Sequence, residues 1–156
     1  MNQFDNSDNP NAHYKTTGPE IWRDTEGQVT HFVSAMGTTG TIMGTSDFLK
    51  EQNKDIQIIG AQPAEGSRIP GIRKWSKEYM PAIFKPHKVD KTIQVTELQA
   101  KEMTRRLANE EGIFAGVSSG GALHTAIQVA KEIDKGVIVS IVCDRGDRYL
   151  SSDLFK

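Results

Sequence analysis

The sequence predicts an α/β fold with a largely parallel sheet and helices on both faces. His31–Met36 has the pattern of a strand, Ile42–Asn53 that of a helix, and Ile56–Gln62 that of a second strand. A strand–helix–strand unit of this kind implies parallel strands joined by a right-handed crossover. The run VIVSIV at Val137–Val142 is β-branched and apolar on both faces, which is typical of a parallel strand with helices on either side.

Two more helices are predicted in the second half of the chain, besides a short one around Glu20–Thr25. The first begins at the capping box Thr96–Gln99 and ends at Gly112. Its apolar face consists of Ala100, Met103 and Leu107. The second follows Gly121 and has apolar residues at helical spacing, namely Leu123, Ala126, Ala130 and Ile133. Between the two helices, Ile113–Gly116 is expected to form a short strand.

The connection Pro63–Lys91 contains four prolines and two glycines, which argues against a long helix or a central strand. A connection of this length is more often a functional loop than a passive one. The alternative is a surface excursion with a short helix near Trp75–Tyr79.

Composition limits the classes of function. A chain of 156 residues is long enough for one domain with a core, and its formal net charge of −1 gives no reason to expect nucleic acid or an anionic membrane as partner. The single cysteine, Cys143, rules out an internal disulfide framework and fits a reducing compartment. No apolar run approaches a membrane span, and the four histidines lack metal-ligand spacing. We therefore expect a cytoplasmic protein without a metal site.

A glycine–threonine loop lies between the first predicted strand and the helix after it. Its residues are Gly37, Thr38, Thr39, Gly40 and Thr41. Glycines let several backbone N–H groups converge on one anion, the threonine hydroxyls add donors, and the helix dipole favours negative charge at the same place. The loop has neither the lysine of a Walker loop nor the spacing GxGxxG. It predicts a phosphate site, the alternative being a tight turn that only links strand to helix.

A second glycine–hydroxyl turn, Gly116–Gly121, contains Ser118 and Ser119 and also leads into a helix. Open α/β sheets bind ligands where their strands end, so the two turns can contact different parts of one ligand. The alternative for the second turn is a serine N-cap that serves only the helix.

These turns and their neighbours resemble the cysteine synthases, which belong to the β-family of pyridoxal-phosphate enzymes. The resemblance covers nearly the whole chain and rests on five segments: NQFDNSDNPNAHYKTTGPEIW, THFVSAMGTTGTIMG, GAQPAEGSRIPGIRKW, EEGIFAGVSSGGA and VCDRGDRYLSSDLF. The last segment is the most discriminating, because CDRGDRY looks like the B type of that family rather than the A type.

The resemblance implies a role for each matching residue. Gly37–Thr41 matches the loop that binds the 5′-phosphate of pyridoxal phosphate, and Ser118 matches the serine that hydrogen-bonds the pyridine nitrogen. Cys143 and Asp144 match positions that line the cofactor ring, although we expect Cys143 to be a small buried packing residue. Gln3 matches a glutamine that helps to hold the substrate carboxylate.

Arg73 is a candidate for binding an anionic sulfur donor or a phosphorylated serine substrate, because the guanidinium fork suits oxyanions. The alternative is a solvated arginine in a basic loop beside Arg68 and Lys74.

The family's chemistry depends on a lysine that binds the cofactor covalently. In typical members this lysine lies in the N-terminal half, as does a substrate-binding Thr-Ser-Gly-Asn-Thr-Gly-like loop, and neither motif occurs in this sequence. Residues 1–156 are therefore expected to be the C-terminal, phosphate-binding portion of a cysteine synthase-like fold, without the lysine-bearing portion.

The complete enzyme, by resemblance, replaces the β-substituent of O-acetylserine or O-phosphoserine with sulfide or thiosulfate, uses pyridoxal 5′-phosphate and is a homodimer. This chain alone is expected to be inactive. It is then a non-catalytic fragment that binds cofactor or a partner, one half of a split enzyme completed in trans by an N-terminal half, or a truncation artefact.

Overall fold

A four-stranded, all-parallel sheet forms the centre of the computed structural model, which describes residues 2–155. The strands are β1 (His31–Ala35), β2 (Gln57–Pro63), β3 (Lys91–Val95) and β4 (Ile138–Ser140). The helices are α1 (Asp8–Lys15), α2 (Thr17–Asp24), α3 (Gly40–Gln52), α4 (Glu97–Glu111) and α5 (Val117–Ala130). The strand order is β3-β2-β1-β4, so β3 and β4 are the edges of this sheet.

Helices cover both faces of the sheet, as the sequence predicts. Phe32 is paired in register with Ile58, and both pack with residues of α3 in one apolar cluster. The next pair, Val33 and Ile59, points to the other face and packs with residues of α5. Adjacent residues of a strand point to opposite faces, so β1 and β2 are buried on both sides. The predicted α/β class and parallel sheet are confirmed.

The first helical segment, α1 followed by α2, is longer than predicted. Only a short helix around Glu20–Thr25 is expected from the sequence, whereas α1 has no counterpart in that analysis and has no buried residue. α1 packs closely on α3 at Gly44, where a side-chain carbon would overlap the carbonyl oxygen of Pro10. This contact brings the N-terminal residues next to the start of α3.

The capping box and the C-terminal stop of α4 are confirmed. The Gln99 backbone N–H donates to Thr96 Oγ1 over 3.2 Å, and the Thr96 N–H donates to Gln99 Oε1 over 2.9 Å. Gly112 ends the helix with φ at 68°, in the left-handed region that glycine adopts without steric cost. The predicted face is buried as well, at Ala100, Met103 and Leu107.

Three local predictions are corrected, and one strand was not predicted. Ile113–Gly116 is not a strand but contains one isolated bridge, between Ala115 and Arg145, because no neighbouring strand lies alongside to extend the pairing. β3 was missed inside the polar sequence after residue 90. β4 is shorter than Val137–Val142 and only half-buried, since it is an edge strand. Of the face predicted for α5, Ala126 alone is buried, because the helix turns Ala122, Thr125 and Val129 inward instead.

The proline-rich connection 63–91 is largely irregular. It contains 3₁₀ turns at Lys77–Tyr79 and Pro86–Lys88, the first of which lies where a short helix is expected. Across residues 2–155, no helix has both the length and the apolar character that crossing a membrane requires.

Candidate functional site

A cavity of about 310 Å³ opens at the carboxyl end of β1. The end of β1, the glycine–threonine loop, the first turn of α5 and the segment after β4 form its wall. The lining residues are Ala35, Gly37, Thr38, Thr39, Thr41, Gly71, Ser118, Cys143, Asp144, Arg148 and Tyr149. The two predicted turns therefore meet in one cavity, as expected for the end of a parallel sheet.

The glycine–threonine loop directs several donors into this cavity. α3 begins at Gly40, directly after Thr39, whose φ of 75° is unusual for a β-branched residue. Within the described residues, the backbone N–H groups of Thr38, Thr39 and Thr41 have no protein acceptor. Thr39 is 3% exposed, and its Oγ1 is buried without a hydrogen-bond partner. Buried polar groups are normally paired, so this hydroxyl and these N–H groups indicate a site for an acceptor-rich ligand.

Two residues of α1 hold the loop, and sequence analysis missed both. Asn9 donates from Nδ2 to Thr38 Oγ1 over 3.0 Å and to the backbone oxygen of Gln3 over 2.7 Å. The His13 ring lies between two threonines, with Nε2 3.2 Å from Thr41 Oγ1. α1 has no apolar periodicity from which it could be predicted. The sequence NPNAH is the only signal in the chain that could have pointed to Asn9 and His13.

Ser118 and Ser119 lie in the first turn of α5 rather than at its N-cap. The N-cap is Gly116, which has no side chain to cap the helix, and the Ser119 N–H donates to Asp144 Oδ1 over 3.2 Å. Ser119 Oγ donates to Asp144 Oδ1 over 2.5 Å and accepts from the Cys143 N–H over 3.0 Å. Both serines thus connect α5 to the segment after β4, which corrects the N-cap alternative.

Cys143 is solvent-exposed and is therefore not the buried packing residue that we expected. It follows an edge strand, so part of its surface reaches solvent, while its sulfur lies 3.2 Å from Ser118 Oγ. The protein around the sulfur raises the pKa of the Cys143 thiol by desolvation, an effect that the Ser118 hydrogen bond partly opposes. The thiol is thus held protonated at neutral pH.

Asp144 is fixed by donors on both sides. Its Oδ2 accepts from the Tyr149 hydroxyl over 2.8 Å, while Oδ1 accepts from Ser119. Burial raises the pKa of Tyr149 to about 12, and the hydrogen bond to Asp144 contributes. Because the phenol stays protonated, it remains a donor, and the one carboxylate in the cavity lining is already engaged by protein groups.

Three predicted residues lie outside the cavity lining, namely Gly40, Gln3 and Arg73. Gly40 is buried against the Asn9 amide. Gln3 is exposed, and its backbone oxygen accepts from the Asn9 amide that also holds Thr38. Arg73 is exposed in a neighbouring cleft of about 810 Å³, which is formed by residues 63–75. The cleft and the cavity share Gly71, whose Cα faces Ser118 so closely that a side-chain carbon there would lie 2.9 Å from the serine oxygen.

Metal binding has no support in the part of the chain that the structure describes. No group of three or more His, Cys, Asp or Glu side chains there is arranged to hold an ion. The donors that line the cavity are hydroxyl groups, backbone N–H groups and the Arg148 guanidinium, and such donors suit an anion.

Hydroxyl groups and unpaired backbone N–H groups thus meet at the carboxyl end of the parallel sheet, which is where open α/β folds bind ligands and cofactors. Residues 1–144 match the family model described as pyridoxal-phosphate dependent enzyme, and the chain belongs to that family.

Within the family, the chain is most usefully compared with the cysteine synthases. It is 57% identical over 155 residues to cysteine synthase B of Pseudomonas aeruginosa, and 57% identical to cysteine synthase B of Escherichia coli. Each alignment covers 99% of this chain but only 52% and 51% of the relative, so the chain spans about half the length of the curated relatives that it matches.

Solved structures of similar proteins also match this chain over about half of their own length. O-acetyl serine sulfhydrylase isoform 3 from Entamoeba histolytica superposes with a TM-score of 0.92 at 36% identity, over 99% of this chain and 48% of that one. The cysteine synthase from the same organism gives a TM-score of 0.90 at 40% identity, again over 99% and 48%.

Proposed function

We propose that this chain provides the pyridoxal-phosphate cradle of a cysteine synthase. The observation that carries the proposal is the buried, unpartnered Oγ1 of Thr39 in a loop whose backbone donors also lack acceptors. The 5′-phosphate of the cofactor is an anion with several acceptor oxygens, and it suits such a loop at a helix N-terminus.

Thr38, Thr39 and Thr41 would hold the phosphate with their hydroxyl and N–H groups, and Asn9 and His13 keep two of these hydroxyls in place. Gly37 and Gly40 leave the space for close approach of the backbone, since a side-chain carbon at either would overlap the Gly71 carbonyl oxygen or the Asn9 amide.

The opposite wall of the cavity would orient the cofactor ring. Ser118 presents a neutral hydroxyl for the ring nitrogen, and a hydroxyl does not force that nitrogen to remain protonated. Cys143 and Asp144 would line the ring, with Asp144 held by Ser119 and Tyr149. When bound, pyridoxal phosphate supplies an electron-withdrawing ring that makes substitution at the β-carbon of an amino acid accessible.

The proposed reaction of the complete enzyme follows from the likeness to cysteine synthase B. It belongs to cysteine biosynthesis and replaces the activated oxygen substituent of O-acetylserine or O-phosphoserine with sulfide or thiosulfate. Gln3 would contact the substrate carboxylate, and Arg73 an anionic sulfur donor or phosphorylated substrate. No lysine is among the described residues that line the cavity. We therefore propose that this chain alone binds the cofactor without a covalent bond and does not turn over.

Cofactor titration tests the cradle directly. Pyridoxal phosphate is added to the chain, binding is followed by absorbance, and inorganic phosphate is added as competitor. A saturable site that phosphate displaces, and that Thr39→Val weakens, supports the cradle. Thr45→Val is the matched control, because Thr45 Oγ1 is also buried and unpartnered but does not line the cavity. Equal weakening by both variants, or no saturable binding, would contradict the proposal.

Reconstitution with an N-terminal half tests the proposed inactivity of the chain alone. The chain is incubated with pyridoxal phosphate, reduced with borohydride and mapped by mass spectrometry, and O-acetylserine turnover is measured with and without an N-terminal cysteine synthase half. Turnover only with that half supports one part of a split enzyme. No turnover in either case supports a non-catalytic binding fragment. A single stoichiometric lysine adduct together with turnover by the chain alone would overturn the proposed inactivity.

A further inference from the structure

Trp75 connects the cleft formed by residues 63–75 to the glycine–threonine loop. Its indole Nε1–H donates to the carbonyl oxygen of Gly37 over 2.9 Å, across 38 residues of sequence. The ring is held on two sides, by an edge-on contact with Phe4 at 5.3 Å between centroids and by the Arg73 guanidinium 5.8 Å from the ring centroid. The backbone N–H of Arg73 also donates to the Met36 carbonyl oxygen over 2.8 Å.

The position of this hydrogen bond has a consequence for the cavity. Gly37 O and the Thr38 N–H belong to one planar peptide unit, and in a trans peptide these groups point in opposite directions. A donor that holds the Gly37 carbonyl on the Trp75 side therefore also fixes the direction of the Thr38 N–H. That N–H has no protein acceptor in the described chain, and Thr38 lines the cavity whereas Trp75 does not.

We infer that Trp75 is a positioning residue for the anion site: its indole N–H orients the peptide between Gly37 and Thr38 so that the Thr38 N–H is presented to a bound phosphate. The inference rests on the proposed function for the identity of the ligand. It adds that the affinity of the cavity for phosphate depends on a side chain of the neighbouring cleft, which does not touch the phosphate.

The test compares Trp75→Phe with the unmodified chain, because phenylalanine keeps an aromatic ring beside Phe4 and removes the donor together with part of the ring. Inorganic phosphate binding is measured by calorimetry, and the N–H residual dipolar couplings of residues 37–41 are measured by NMR without ligand. We expect Trp75→Phe to weaken phosphate binding about fivefold, as misaligning one donor of typical strength would. We also expect the coupling of the Thr38 N–H to change, because its peptide is no longer held in one orientation. Trp22→Phe, in α2, is the control and should change neither.

The outcomes separate this inference from the proposed function. Phosphate binding by the unmodified chain, with unchanged affinity and an unchanged Thr38 N–H coupling in Trp75→Phe, would overturn the positioning role and leave the cradle intact. Absence of phosphate binding by the unmodified chain would refute the cradle, and the Thr38 N–H coupling in the ligand-free proteins would still decide whether Trp75 orients this peptide. A lower urea midpoint with unchanged phosphate affinity would make Trp75 a packing residue only. If Trp75→Phe does not fold, exchange of the indole proton in the unmodified chain decides: slowing on phosphate addition supports the role, and an unchanged rate overturns it.

Discussion

Replacing Thr39 with glycine should stabilise the ligand-free chain and weaken its anion site at the same time. Thr39 has a φ of 75°, and this left-handed conformation costs a side chain with a Cβ roughly 1–2 kcal/mol. Its buried, unpartnered hydroxyl costs about 1–3 kcal/mol more. Glycine loses roughly 0.5–1 kcal/mol more chain entropy on folding, and the missing methyl group loses about 0.8 kcal/mol of apolar burial. The free energy of unfolding should therefore rise by roughly 0–4 kcal/mol, with a central value of about 2 kcal/mol.

Urea denaturation of Thr39→Gly measures the expected gain in the free energy of unfolding, and calorimetry with inorganic phosphate measures the expected loss of phosphate affinity. Removing one hydrogen bond to a charged ligand should weaken binding about tenfold. Thr45→Val provides the comparison, because it removes the other unpaired threonine hydroxyl of this region and should stabilise by about 1 kcal/mol without changing phosphate affinity. A Thr39→Gly chain that is less stable, or that binds phosphate as tightly as before, would refute the strain argument or the ligand argument respectively.

Three further predictions concern the surroundings of the cavity. Gly116→Ala should lower the free energy of unfolding by about 1–3 kcal/mol in urea, because its methyl group would overlap the Asp144 carboxylate; unchanged stability would contradict this packing. The rate of Cys143 alkylation by iodoacetamide should rise at a higher pH than for a free thiol, and at a still higher pH in Ser118→Ala, since desolvation of the sulfur by the surrounding protein raises the thiol pKa and the serine lowers it; a lower thiol pKa in Ser118→Ala would contradict this role of the serine. Burial lowers the pKa of His13 below its ordinary 6.5, so the unfolded chain binds the proton first and stability should fall as the pH drops below about 6.5. The urea midpoint should fall less in His13→Gln, and an equal fall would exclude His13 as the cause.

The centre of the fold was predictable because its signals are local. β1, α3 and β2 each have an apolar pattern of the right period, and the glycines and threonines between β1 and α3 mark the loop directly. The capping box of α4 is equally local, since both of its hydrogen bonds join residues three apart.

The remaining parts depend on contacts between distant segments. Asn9 and His13 act on the loop from α1, which has no fully buried side chain and so has no hydrophobic periodicity to detect. β3 has polar residues at most positions because it is an edge strand, and its pairing with β2 determines its structure. The exposure of Cys143 depends on what lies beyond the last strand, which its own sequence neighbours do not specify.

The pairing of β4 with β1 has a consequence for the order of folding. Thr30 Oγ1 donates to the Val137 carbonyl oxygen and accepts from its N–H, a pair of bonds between residues 107 apart in sequence. Closing so long a loop is entropically slow, whereas the unit of β1, α3 and β2 needs only nearby contacts. We therefore expect the glycine–threonine loop to form before the wall that contains Cys143, because that wall needs the docked last strand. Anion binding to the completed cavity would thus report that the whole chain has folded.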